Sequence, residues 1–364
     1  MSKILKKLKH SAQKGLSHFI PSLLTILLAL CVGAIVILIS GYNPLVAYRE
    51  MFLGAFGTKS RFSETIIKMV PLLVLSLGLS VAFRSKVWNI GADGQFTMGA
   101  ILAWWTAYIV GGDGFTTLAL SFIAGALGGA IWGGVAGILK ARFKANEVIT
   151  TLMLNYIANF FLAWLIRGPL LDPNGGNNPQ SASIVKGLKL LRLFPGSTLR
   201  ISVSVYVALV LIVVIYFFWR STWGYTFKLT GASQSVARYA GLGVPTIVCV
   251  TMMISGALAG IAGWTEIFGT QYRLLDNISS GYGNLAIVVA LLGNLRPFGI
   301  TIASFFFAAM LSGGNAMQRT AGIPSSVVQI IQALVIIFVI CRTVIESEGF
   351  KSFITRNHRK GVRF

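Results

Sequence analysis

Four polar residues, Glu147, Thr151, Asn155 and Asn159, stand at four-residue steps in a stretch that is otherwise apolar. Each step turns an α-helix by about 400°, so the row drifts only about 40° per step and winds along one side. Carboxylate, hydroxyl and amide groups on one face can serve a polar solute or bond a neighbouring helix, and the spacing allows both. A second polar segment, Val87-Trp88-Asn89-Ile90-Gly91-Ala92-Asp93-Gly94-Gln95-Phe96, is glycine-rich and leads into an apolar helix. Asn89, Asp93 and Gln95 are its polar groups; Asp93 either belongs to a solute path or caps the helix that follows. Glu266 is an isolated acid near the end of another apolar run, for which pairing with Arg273 is expected.

Reaction chemistry finds little support. No GxxxxGK[ST] or HExxH pattern occurs, the three histidines lie near the chain ends, and no nucleophile, base and orienter converge in the sequence. Cys31, Cys249 and Cys341 fall in apolar runs without metal-ligand spacing. ATP hydrolysis by the chain itself is excluded on this reading, and its polar groups point to a path through a bilayer.

A third constellation is Gly231-Ala232-Ser233-Gln234-Ser235-Val236-Ala237-Arg238-Tyr239-Ala240-Gly241. Ser233 is placed to cap a short helix that Gly241 ends. Such a helix outside the lipid suits docking into a cytoplasmic partner, or simply joins two spans along the interface.

These groups must be positioned by membrane helices. The 364 residues are 55% hydrophobic and only 11% charged, against about 25% charged in soluble domains. Spans are predicted at about 20–40, 65–83, 94–111, 115–138, 147–167, 201–219, 245–269, 284–294, 298–314 and 324–342, most of them near the roughly 20 residues that cross a bilayer. The eighth is too short to cross alone, and Gly281, Gly283, Gly293 and Pro297 around it predict a half-helix and turn. The net charge of +21 comes from Lys and Arg scattered between the apolar runs, which argues against a nucleic-acid face and for a chain surrounded by membrane lipids. The expected fold is an all-α integral membrane protein of about ten transmembrane helices, broken or re-entrant ones included, with both termini cytoplasmic. One transmembrane domain over 1–364 then has a basic N-terminal segment (1–19), a cytoplasmic loop (220–244) and a basic C-terminal tail (343–364). Gly125, Gly129, Gly133 and Gly137, with Gly256 and Gly260, predict close helix packing.

Together the segments resemble permease subunits of bacterial ATP-binding-cassette importers, in the branch that includes branched-chain amino acid, ribose and nucleoside permeases. The 231–241 segment is similar to that family's coupling helix, and Ser255-Gly256-Ala257-Leu258-Ala259-Gly260 to the span after it. Asn89 to Gln95, Glu147 to Tyr156, Ala286 to Gly293, and Gly313-Gly314 with Gln318 look most like nucleoside permeases. Asp93 stands where Glu is commoner, and Asn294-Leu295-Arg296 replaces the usual turn before Pro297.

The resemblance implies an importer subunit in the bacterial cytoplasmic (inner) membrane that holds no cofactor. ATP and Mg would be used by a separate ABC ATPase subunit, a second permease of different sequence would complete the path, and an extracytoplasmic substrate-binding lipoprotein would deliver solute. Gly231, Ser233, Ala237, Arg238, Tyr239 and Gly241 would couple to the ATPase. For a nucleoside, Asp93, Gln95, Asn155 and Asn159 would meet ribose hydroxyls, and Trp88, Phe96, Trp104 or Trp264 the base. The competing readings are a sugar or amino-acid permease of the same kind, an ion-coupled carrier and a membrane-embedded enzyme.

Overall fold

A computed structural model describes residues 27–346 apart from Asn174 and Asn177. The expected basic segment 1–19, the start of the first span and residues 347–364 of the expected tail lie outside the described residues. Among the described residues all regular structure is helical, save three isolated bridges. In chain order the helices are α1 (Leu27–Ile39), α2 (Pro44–Phe56), α3 (Lys59–Arg84), α4 (Ala92–Val110), α5 (Phe115–Phe143), α6 (Glu147–Arg167) and α7 (Ser204–Phe218). They continue with α8 (Thr222–Ala232), α9 (Gln234–Tyr239), α10 (Val244–Glu266), α11 (Tyr282–Leu292), α12 (Pro297–Ala321) and α13 (Ser325–Glu346).

Five of these, α3, α5, α6, α12 and α10 with the π turn Ile267–Gln271 that prolongs it, are long and apolar enough to cross a membrane. Counting the bent pairs α1 with α2 (120°) and α7 with α8 (70°) as one span each gives up to seven. The short helix around 284–294 is present as α11, whose 11 residues extend about 16 Å, roughly half the hydrocarbon thickness. Gly281, in the left-handed region at φ 75°, sets its start, and left-handed Asn294 and Leu295 turn the chain toward Pro297.

The chain divides into two compact units. In the smaller, described over 27–55 and 310–346, the Tyr48 hydroxyl donates to the Leu30 carbonyl at 2.6 Å, tying α2 to α1. Gly54 meets Ala316 and Gly313 there.

The larger unit, Phe56–Ala309, is built on close helix approach. A side chain on Gly129 of α5 would run into the carbonyl oxygen of Gly256 on α10, and one on Gly133 into that of Met252. Gly99 of α4 abuts Gly260 and Gly125 in the same way, so three backbones meet where only glycine fits. Caps define the helix starts: Asn146 accepts from the Val148 N–H at 3.0 Å, and Ser221 from the Gly224 N–H at 3.3 Å. The long connection after α6 is tied to the segment after α10 by Ser181 N–H to Leu274 O (3.0 Å), Ile184 N–H to Tyr272 O (2.8 Å) and Leu190 N–H to Phe268 O (2.9 Å).

Candidate functional site

Lys86, in the left-handed region at φ 57°, reverses the chain after α3, and residues 87–91 run without helical structure until α4 begins. This segment lies deep in the unit. Its Asn89 meets Ser255, eleven residues into α10, and Gly94 just after it meets Asn155, eight residues into α6. At 1.5 Å per residue these are depths of about 16 and 12 Å, near the middle of helices that cross about 30 Å.

The exposed backbone of 87–91 needs partners at that depth, and side chains supply them. Asn89 Nδ2 donates to Gln95 Oε1 and Ser255 Oγ, both at 2.9 Å, while Gln95 Nε2 returns a bond to Asn89 Oδ1 at 3.0 Å. The Gly91 N–H donates to Asn89 Oδ1 at 2.9 Å. From α6, Thr151 Oγ1 accepts the Ile90 N–H at 3.2 Å. Asn155 takes the Gly94 N–H and gives Nδ2 to the Ile90 carbonyl, both at 2.8 Å. Asn159 Oδ1 accepts from Thr97 Oγ1 at 3.1 Å.

Asp93 does cap a helix, but a distant one. Its carboxylate accepts the Gly283 N–H at 2.8 Å, with the Asn284 N–H and the Ser279 side chain close by, so it closes the N-terminus of α11 from the first turn of α4. Only 6% exposed, it sits where two helix N-termini meet, and their dipoles favour its negative charge.

The structure thus gathers Asn89, Asp93, Gln95, Thr151, Asn155 and Asn159 into one mid-depth assembly. Glu147 stands apart, ion-paired with Lys140 and close to the Trp88 backbone. Ser255, Thr97, Ser279 and the start of α11 complete the assembly; sequence reasoning missed them because their partners lie far away in the chain. Of the four aromatics considered as a base platform, Trp88 presents an open face at 47% exposure. Phe96 is buried, Trp104 donates to the Ala182 carbonyl at 3.0 Å, and Trp264 donates to Ser121 Oγ at 3.0 Å. Glu266 pairs with Gln271 rather than Arg273: the π turn brings Gln271 Nε2 back to Glu266 Oε1 at 2.9 Å, and left-handed Tyr272 separates Arg273 from it.

The second candidate region is the α8–α9 loop. Ser233 Oγ accepts the Val236 N–H at 3.4 Å and starts α9. At the other end the Gly241 N–H bonds the Arg238 carbonyl and the Leu242 N–H the Ala237 carbonyl, both at 3.0 Å, with Gly241 left-handed at φ 76°. This is a Schellman closure, and it explains why glycine ends the helix. Ala237 packs with Val87, Ala136, Val244, Val248 and Met252, so it anchors α9 instead of facing outward. Gly231 is pressed against the Arg84 carbonyl and Ser85. Arg238 and Tyr239 point away from the unit, Tyr239 at 96% exposure.

Residues 61–340 match the family described as branched-chain amino acid transport system, permease component. The chain is 36% identical to a guanosine ABC transporter permease protein of Bacillus subtilis, over 90% of this chain and 94% of that one. It is 33% identical to a glucose ABC transporter permease protein of Haloferax volcanii (94% and 89% covered) and 32% identical to a nucleoside ABC transporter permease protein of Lactococcus lactis (89% and 91%). No solved structure gives a significant match.

Proposed function

This chain belongs to the branched-chain amino acid transport permease family of ABC transporters, and we propose that the solute it passes is a nucleoside. As a permease it is a multi-pass membrane transport subunit and not an enzyme, and its family works with an ATPase and a substrate-binding partner. The observation that carries the nucleoside reading is the similarity, over about nine-tenths of the chain, to permeases named for guanosine and for nucleosides.

In this reading the chain crosses the cytoplasmic membrane about ten times with both termini inside, and 1–364 acts as one permease domain. A second, different permease faces it across the path, and a lipoprotein delivers solute from outside. Nucleotide binding and hydrolysis on the ATPase move α9 through Arg238 and Tyr239, while Gly231, Ser233, Ala237 and Gly241 hold α9 to the unit. Because Gly231 lies on the end of α3 and Ala237 on the α5–α10 core, a displacement of α9 is felt by the helices that frame the mid-depth assembly. There, exchanging the bonds of Asn89, Asp93, Gln95, Thr151, Asn155 and Asn159 for bonds to ribose hydroxyls keeps buried polar groups satisfied while solute passes. Glu147 and Lys140 flank that route.

The glucose-named relative makes a sugar the rival solute. Uptake of labelled guanosine by cells expressing the complete transporter distinguishes them. The expected result is competition by an excess of unlabelled purine or pyrimidine nucleosides and none by glucose; glucose uptake that nucleosides leave untouched would overturn the assignment.

A further inference from the structure

The end of the larger unit that carries α9 holds a cluster of positive charge without a counter-charge. The Arg84 guanidinium, at the last residue of α3, lies 4.4 Å from the centre of the Trp219 ring, and Lys228 Nζ lies 5.6 Å from the same centre while donating to the Trp219 carbonyl at 3.3 Å. Arg296, in the turn before α12, is close enough to repel Arg84. Among the described residues none of these three cations has a carboxylate partner. Arg84 is half-buried, yet its guanidinium N–H groups donate to no described residue. The indole N–H of Trp219, a side chain only 7% exposed, is also without a partner among the described residues.

A guanidinium partly withdrawn from water needs an anionic acceptor, and the planar fork of arginine fits a phosphate with two parallel bonds. With 31 basic and 10 acidic residues, the chain is short of acids to supply that anion, and a source outside it fits. Its surroundings name the source. Trp219 closes α7, whose outward face carries the exposed apolar residues Val210, Val213, Val214 and Phe217, so a headgroup among these cations would have acyl chains lying along α7. Tyr216 and Arg220 continue the same rim, with the Arg220 guanidinium 4.5 Å from the Tyr216 ring centre.

We propose that Arg84 and Lys228, both set over the Trp219 ring, bind the phosphate of an anionic phospholipid. The lipid would fasten the end of α3 to the α7–α8 turn, the footing on which α9 stands.

The test is tryptophan quenching of the purified, reconstituted complex by brominated phosphatidylglycerol in phosphatidylcholine bilayers, paired with native mass spectrometry to count retained lipids. Wild type should show a component of quenching that is missing from Trp219→Phe, above the background of the other seven tryptophans, and should retain at least one more phosphatidylglycerol than the Arg84→Gln, Lys228→Gln double variant. Arg84→Lys should recover most of that retention, which separates charge recognition from misfolding. Equal retention by wild type and double variant overturns the proposal. So does displacement by millimolar inorganic phosphate, which would mark a site for a free anion, or loss of the ATPase subunit from the double variant with lipid retention unchanged, which would mark a protein contact.

Discussion

The mid-depth assembly and α9 are both short polar departures from an apolar helical protein, yet their side chains are used in opposite ways. Around Asn89 the amides and hydroxyls are turned inward and bonded to one another and to the backbone of 87–91. On α9 the polar bonds serve only the two helix ends, and Arg238 and Tyr239 are left facing outward. The difference teaches where solvent lies. At about 12–16 Å inside a membrane domain an unbonded amide costs about 1–3 kcal/mol, so polarity there has to be closed upon itself. At the rim that cost vanishes, and a side chain can be kept free for a partner.

Ala237 breaks the contrast, because it belongs to α9 but faces the core. Ala237→Glu should have the largest effect: an unpaired charge in that cluster costs about 3–5 kcal/mol, unseats α9, and abolishes solute-stimulated ATPase activity together with a marked fall in the melting temperature of the purified protein. A variant as stable as wild type would place Ala237 on the surface. Next comes Asp93→Ala, which strips the buried Gly283 N–H of its acceptor; a loss of about 1–3 kcal/mol is expected in denaturant unfolding, with Asp93→Asn losing less because one acceptor oxygen survives. Smallest in stability is the Arg238→Glu, Tyr239→Ala double variant, whose melting should stay within about 0.5 kcal/mol of wild type. Its coupled ATPase activity should still fall at least about tenfold, equivalent to about 1.4 kcal/mol of lost docking. Normal coupling in that variant would erase the functional half of the contrast.

Much of this was legible in the sequence where the signal is local. Long apolar runs located α3, α5, α6, α10 and α12, and the Ser233 and Gly241 spacing located α9 to the residue. The polar row on α6 was visible from its four-residue steps and bonding to a neighbouring helix was one of its two readings, but its partner segment 90–97 was not legible, since those bonds join residues 61 to 65 apart. Asp93 read either as part of a path or as a cap of the helix that follows it, yet the helix start it bonds lies 190 residues further on. Helix α2 escaped because Arg49 and Glu50 interrupt its apolar run and its 13 residues are too few to span, while the 120° bend after α1 has no sequence signal beyond Asn43 and Pro44. The partner of Glu266 was misassigned because a π turn changes the register that ordinary helical spacing assumes.

Transport energetics test the central claim, that this permease is driven through α9 by nucleotide chemistry on another subunit. Labelled nucleoside uptake should be measured in proteoliposomes containing this chain alone, and in others containing the complete transporter with ATP enclosed on the α9 side. The account predicts no uptake by the isolated chain under any proton or sodium gradient, and ATP-dependent uptake by the complete transporter. Gradient-driven accumulation by the chain alone would contradict it.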